Sequence, residues 1–155
     1  MILSAWRIVH ERHAARGFSG EGARLYGGRW NSPGVAVVYT AGSRALAALE
    51  MLVHLDSPRI LKRYVLCRVD FDERLIQELD PGEVPSDWRA NPPTRSTQAI
   101  GDKWVEQAGA PVLRVPSVVV PEEWNYLLNP DHPDFVQIEI GNPAKFDFDP
   151  RFSRG

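Results

Sequence analysis

Cysteine is nearly missing from this sequence: Cys67 stands alone among 155 residues, so neither an intrachain disulfide nor a cysteine metal cluster can be drawn. An excess of one charge is missing too. Eighteen Lys and Arg face 20 Asp and Glu, which leaves no net positive field to hold a polyanion by counterion release and disfavours direct nucleic-acid binding. No stretch reaches the ~18 apolar residues of a membrane span, and Arg7 interrupts the opening run MILSAW before it makes a signal-peptide core. His10, His13, His54 and His132 show no paired ligand spacing and no His-Glu-x-x-His pattern, so no catalytic metal is expected. No internal repeat, low-complexity segment or linker is visible. These absences together point to a cytoplasmic, metal-free protein.

What is present suits one soluble domain. Apolar residues make up 43% and charged residues 25% of the chain, close to globular averages, and the length gives one hydrophobic core and not two. Residues 5–10 alternate like a strand, and 11–34 read as a long glycine-rich loop closed by Pro33. VAVVYT (35–40) reads as a buried strand ending at Tyr39. Ser43 then caps a helix over 44–55 that is apolar almost all round and is expected to be largely buried. ILKRYVLCRVDF (60–71) predicts a strand, in which Cys67 serves as a small buried hydrophobe. DPGEVPSDWRANPP (80–93) is an aperiodic, proline-rich connection. Ser96 or Thr97 starts an amphipathic helix stopped at Gly109. PVLRVPSVVVP (111–121) gives one or two short strands broken at Ser117, EEWNYLLNPDHP reads as turns, and DFVQIEIG (134–141) as a last strand before an irregular tail. Strands outnumber helices without regular alternation, which predicts an α+β fold.

Four residues stand out chemically. Glu50 lies on the apolar helix one turn from Leu46 and Val53, where its carboxylate needs a partner, a proton or a cavity, because an uncompensated buried charge costs several kcal/mol. A structural ion pair with an arginine is the alternative to a functional role. In YGGRWNSPG (26–34) Arg29 and Trp30 sit between glycines that let a backbone approach a ligand, and an arginine fork suits phosphate or carboxylate; a tight turn with a core tryptophan is the plainer account. No Gly-Lys-Ser/Thr follows, so this is not a P-loop. Tyr39, at a strand end, is placed either to stack on a flat heterocycle or to pack in the core with its hydroxyl bonded. Ser117 has no neighbouring base and, taken alone, reads as a turn serine.

Taken together, these segments resemble the RES domain, the toxin half of a bacterial toxin–antitoxin pair, a family named for an arginine, a glutamate and a serine. Arg29 in GGRWNSPG, Glu50 in SRALAALEMLVHL and Ser117 in RVPSVVVP match in order, and the resemblance spans roughly residues 5–150. It implies a fold similar to ADP-ribosyltransferases, with a mixed or antiparallel β core and a few flanking helices. The implied reaction consumes NAD⁺ as substrate by cleaving the nicotinamide–ribose bond, by water or phosphate in some members; modification of a cellular protein is the alternative. On this resemblance Arg29, Tyr39, Glu50 and Ser117 are the catalytic set, and Arg29, Tyr39, Ser117, Trp30 and Asn31 hold the dinucleotide. It also implies a cognate antitoxin with a Xre-like helix-turn-helix domain, in multimeric complexes with the toxin. A non-catalytic interaction module, in which an Arg29–Glu50 pair only braces the core, is a further alternative.

Overall fold

In a computed structural model, residues 1–55 and 62–153 are described. The elements in chain order are β1 (Ile2–His10), α1 (Glu21–Tyr26), β2 (Val38–Ala41), α2 (Arg44–Leu52), β3 (Tyr64–Asp72), β4 (Ile76–Glu78), α3 (Arg95–Gln107), β5 (Val112–Pro116), β6 (Trp124–Leu128), β7 (Glu139–Ile140) and β8 (Ala144–Phe146). The strands form one sheet in the order β4-β5-β6-β2-β1-β3-β7, with β8 also on β3. All pairings are antiparallel except β4 with β5. The α+β expectation with a mixed β core therefore holds. Among the described residues no helix is long and apolar enough to cross a membrane.

β3 forms because the second half of YVLCRVDFD alternates: Cys67, Val69 and Phe71 are buried while Arg68 is exposed, and Tyr64 is buried on the opposite face. It pairs with β1 along its whole length, from His10 opposite Tyr64 to Ile2 opposite Asp72. By contrast, β1 meets β2 at a single register pair, Trp6 opposite Ala41. Beyond that pair the Arg7 Nη1 donates to the Tyr39 carbonyl at 3.0 Å, standing in for a ladder partner. The sheet is thus loosened between β1 and β2, beside the strand that carries Tyr39.

Strand alternation sorts the core into two faces. Ala5, Val38, Val69, Phe71, Val112, Tyr126 and Leu128 pack on one. On the other, α2 covers Ile8, Ala41 and Tyr64 with Leu46 and Ala47, and α3 covers Leu113, Val115 and Leu127 with Trp104 and the buried Trp30. At ~25 cal/mol per Å² of apolar surface, each such Leu, Val or Phe contributes roughly 1.5–3 kcal/mol. This second face, between α2 and α3, is where the candidate residues converge.

Several expectations need correction. α2 begins at the predicted place, with Ser43 Oγ accepting from Leu46 N at 3.0 Å, but it ends at Leu52 and is not buried all round. Leu49 and Val53 are exposed, because a nine-residue helix lying on β1 and β2 offers the sheet only one face. The glycine-rich loop contains α1, whose six residues are too short to show a period; it starts at Gly20, held at φ 74°. WNYLL is not a turn but β6, an interior strand of the sheet, with Leu127 and Leu128 fully buried. DFVQIEIG is not a strand: Pro133–Gln137 forms a 3₁₀ turn, started by Pro133 and capped by the His132 ring, and only Glu139–Ile140 pair. The irregular tail supplies β8. Of the strand predicted over 60–71, positions 60 and 61 lie outside the described residues, and pairing runs from Tyr64. α3 runs from Arg95 and stops one residue early, with Ala108 in the left-handed conformation at φ 49°.

Candidate active site

Glu50 emerges from α2 toward the turn that follows β5 and toward β6. Its Oε1 accepts from Asn125 Nδ2 at 2.7 Å, and its Oε2 from Ser117 Oγ at 3.2 Å. Each donor is itself held in place. Asn125 Nδ2 also donates to the Thr40 carbonyl of β2 at 3.1 Å. Ser117, wholly buried, accepts from the Val119 and Val120 amides at 3.1 and 3.2 Å, so its hydroxyl proton is directed at Glu50. No Arg, Lys or His forms an ion pair with Glu50 among the described residues, and Glu50 is only half-buried. The Arg29–Glu50 brace is therefore not formed. Burial pushes the Glu50 carboxyl above its ordinary value of 4.5, the Asn125 and Ser117 bonds pull it back, and nearby Glu123 adds to the rise.

Arg29, half-buried, donates through Nη1 to two carbonyls of the proline-rich connection, Trp88 O at 2.9 Å and Ala90 O at 2.7 Å. Among the described residues no protein acceptor takes its Nε or Nη2. The loop carrying it is tightly built. The Tyr39 hydroxyl donates to Asn31 Oδ1 at 2.6 Å and accepts from Trp30 N at 3.0 Å. Asn31, with no exposed surface, spends its Nδ2 on the carbonyls of Ala23, Ser32 and Val35. Trp30 is 2% exposed and packs against Trp104. Burial pushes the Tyr39 phenol well up, helped by the nearby Asp102 charge, so it stays protonated and can donate.

α3 grips the same loop from behind. Gln98 Nε2 donates to the Gly28 carbonyl at 3.1 Å, and Asp102 Oδ1 accepts from Ser32 N at 2.9 Å. Gly28 and Gly101 permit this approach. A Cβ on Gly28 would lie 2.7 Å from the Tyr39 hydroxyl, and one on Gly101 only 1.6 Å from the Trp30 carbonyl oxygen.

The structure thus gathers Glu50 with Ser117, and Arg29 with Tyr39, Trp30 and Asn31, on one face of the sheet. The two groups are connected through the proline-rich segment, since Arg89 Nη2 donates to the Val118 carbonyl at 3.0 Å, next to Ser117. Asn125, Gln98, Asp102 and Arg89 were missed in the sequence. Nothing local in the sequence marks any of the four. A cavity of about 260 Å³ lies elsewhere, lined by Arg16, Phe18, Ser19, Cys67 and Ile140, and it includes none of these residues and no carboxylate. Among the described residues no group of three or more His, Cys, Asp or Glu is placed to hold a metal ion.

Residues 4–149 match the family model described as the RES domain. A "Prs ADP-ribosylating toxin" of Sphingobium sp. (strain YBL2) is 42% identical over 99% of both chains. A protein named "Toxin Res" of Yersinia enterocolitica is 41% identical over 96% of this chain and 99% of its own. Among solved structures, the M. tuberculosis MbcT–MbcA toxin–antitoxin complex holds a chain of similar fold, with a TM-score of 0.79 at 18% identity over 99% of this chain and 87% of that one.

Proposed function

This chain belongs to the RES domain family, and from that premise we propose that it is the toxin of a toxin–antitoxin pair that consumes NAD⁺ by cleaving the nicotinamide–ribose bond. The observation that carries the reading is Glu50: a half-buried carboxylate held at both oxygens by neutral donors, Asn125 and Ser117, with no cation attached among the described residues. A carboxylate so held keeps its charge for something that is not part of the protein.

Departure of neutral nicotinamide leaves a ribosyl oxocarbenium ion, which needs nearby negative charge and firm placement. Glu50 accepts hydrogen bonds from the ribose hydroxyls and stabilises that cation, as a carboxylate does in glycoside cleavage. Asn125 and Ser117 orient it and favour its ionised form against the effect of burial. Arg29 offers its Nε and Nη2 to the diphosphate. Tyr39 packs its ring against the Trp30–Trp104 cluster while its hydroxyl, with Trp30 and Asn31, sets the shape of the Arg29 loop. Water or phosphate completes the reaction.

Nicotinamide release from NAD⁺ by purified protein, without any protein acceptor, tests this. Wild type should release it and Glu50→Gln should be slower by at least ~100-fold; NAD⁺ unchanged after long incubation with wild type overturns the proposal. A second reading is favoured by the Sphingobium relative's name: the same bond is cut, but a cellular protein attacks the ribose. Labelled NAD⁺ marking one protein of a lysate would select it. The partner that belongs to this function is an antitoxin bearing a Xre-like helix-turn-helix domain in a multimeric complex, with the toxin acting in the cytoplasm; its coexpression should restore growth.

A further inference from the structure

We propose that Arg89 is a second substrate-binding arginine, which together with Arg29 takes the diphosphate of NAD⁺; this rests on the NAD⁺ reading above. Arg89 lies between the two residues whose carbonyls hold Arg29, Trp88 and Ala90, so one short backbone segment carries Arg89 and anchors Arg29. Its side chain, over the Trp88 ring at 5.9 Å, reaches the Val118 carbonyl with Nη2 alone. Of the five N–H donors of a guanidinium, the others have no protein acceptor among the described residues. The same holds for Nε and Nη2 of Arg29.

Neither guanidinium has a carboxylate partner among the described residues. The nearest acid along the chain, Asp87, already accepts from Ser96 Oγ at 2.6 Å. The Arg89 charge is also felt at Arg29, where it adds to burial in lowering that guanidinium's pKa. Arg89 is exposed and Arg29 half-buried, and two neighbouring like charges raise the local attraction for an anion. Two planar forks gathered by one segment, Arg89 on it and Arg29 anchored to it, suit a diphosphate, each presenting paired N–H groups to a phosphate. The placement also fits the rest of the substrate, because the Arg89 contact at Val118 adjoins Ser117 and, through it, Glu50. A diphosphate held by Arg29 and Arg89 therefore extends toward the carboxylate that faces the ribose.

Initial rates of nicotinamide release by the full chain test this with Arg89→Ala and Arg89→Lys. The alanine variant should raise KM for NAD⁺ about tenfold with kcat within twofold, and the lysine variant should recover part of the loss. The constant for product inhibition by nicotinamide, which carries no phosphate, should stay unchanged in both. An unchanged KM in Arg89→Ala overturns the assignment while leaving the NAD⁺ reading intact. So does a rise in KM matched by an equal rise in the nicotinamide constant, which would mean that Arg89 only shapes the loop. Wild type that releases no nicotinamide removes the NAD⁺ reading and the Arg89 assignment together.

Discussion

Glu50 shows how two opposing effects set the behaviour of one residue. Burial disfavours its charge and raises its pKa, while two hydrogen bonds favour the charge and lower it; the net direction is upward, so burial wins. A carboxyl whose folded pKa exceeds its unfolded one holds its proton more tightly when folded. Stability is then greatest below the unfolded value and falls as pH rises through the folded one, so the cost grows across the window between the two. Glu50→Gln removes that cost but sets its amide NH2 against one of the two donors, so its turnover is read beside its urea midpoint, and a midpoint near wild type assigns the loss to chemistry. If the ionised form is the working one, activity rises with pH along an acid limb placed above the ordinary 4.5. Asn125→Ala deletes the 2.7 Å donor to Oε1 that pulls the pKa down, and should move that limb to higher pH. A pH–rate profile checks this, and a limb that stays in place or moves down contradicts the assignment of Asn125. The sequence made Glu50 visible as an acid on a greasy helix. Asn125 stayed hidden because an asparagine in a short segment has no helical or strand signature of its own.

At the scale of elements, the Arg29 loop depends on α3. Gly101 lets that helix approach the Trp30 carbonyl so closely that an added methyl would sit 1.6 Å from the oxygen. Glycine to alanine inside a helix ordinarily stabilises by ~0.5–1 kcal/mol. Here overpacking against backbone dominates, and Gly101→Ala should destabilise by about 1–3 kcal/mol, read from its urea midpoint, while weakening NAD⁺ turnover by displacing Arg29. A variant as stable as wild type would show that helix and loop are not seated against one another. The helix itself was legible in the sequence from its apolar spacing and its glycine-proline ending. Its docking on the loop was not, because Gln98 and Asp102 meet their partners across 70 residues. β6 was misread for a related reason: a five-residue strand opening on Trp and Asn acquires its identity from β2 and β5 on either side, and little of it from its own composition.

Across the whole molecule, chain ends and middle share one sheet: β1 lies between β2 and β3, and β8, near the C-terminus, pairs with β3. No strand pairing separates one half of the sequence from the other, so thermal unfolding should be a single cooperative transition, with far-UV and near-UV dichroism changing together. Two separated transitions would mean that the β4-β5-β6 side folds apart from β1 and β3. The candidate site is assembled from distant parts of the same sheet. Glu50 comes from the helix after β2, Ser117 from the turn after β5 and Asn125 from β6, while Arg29 precedes β2 and rests on residues 88 and 90. Such a site is lost as a unit when the sheet opens.

Local order determined what the sequence alone settled: the α+β class, the strand β3, the start of α2 at Ser43, and the conspicuous Arg29, Tyr39, Glu50 and Ser117. Those features follow from side-chain period, capping and turn chemistry, which act over a few neighbouring residues. Tertiary structure alone decided that Glu50 meets Asn125 and Ser117 in place of an arginine, that the Tyr39 hydroxyl is committed to the Arg29 loop, and that Arg89 connects the two groups. Each of these is a contact between segments far apart in the chain, fixed by which strands pair and which helix covers them, and no short window of residues carries that information.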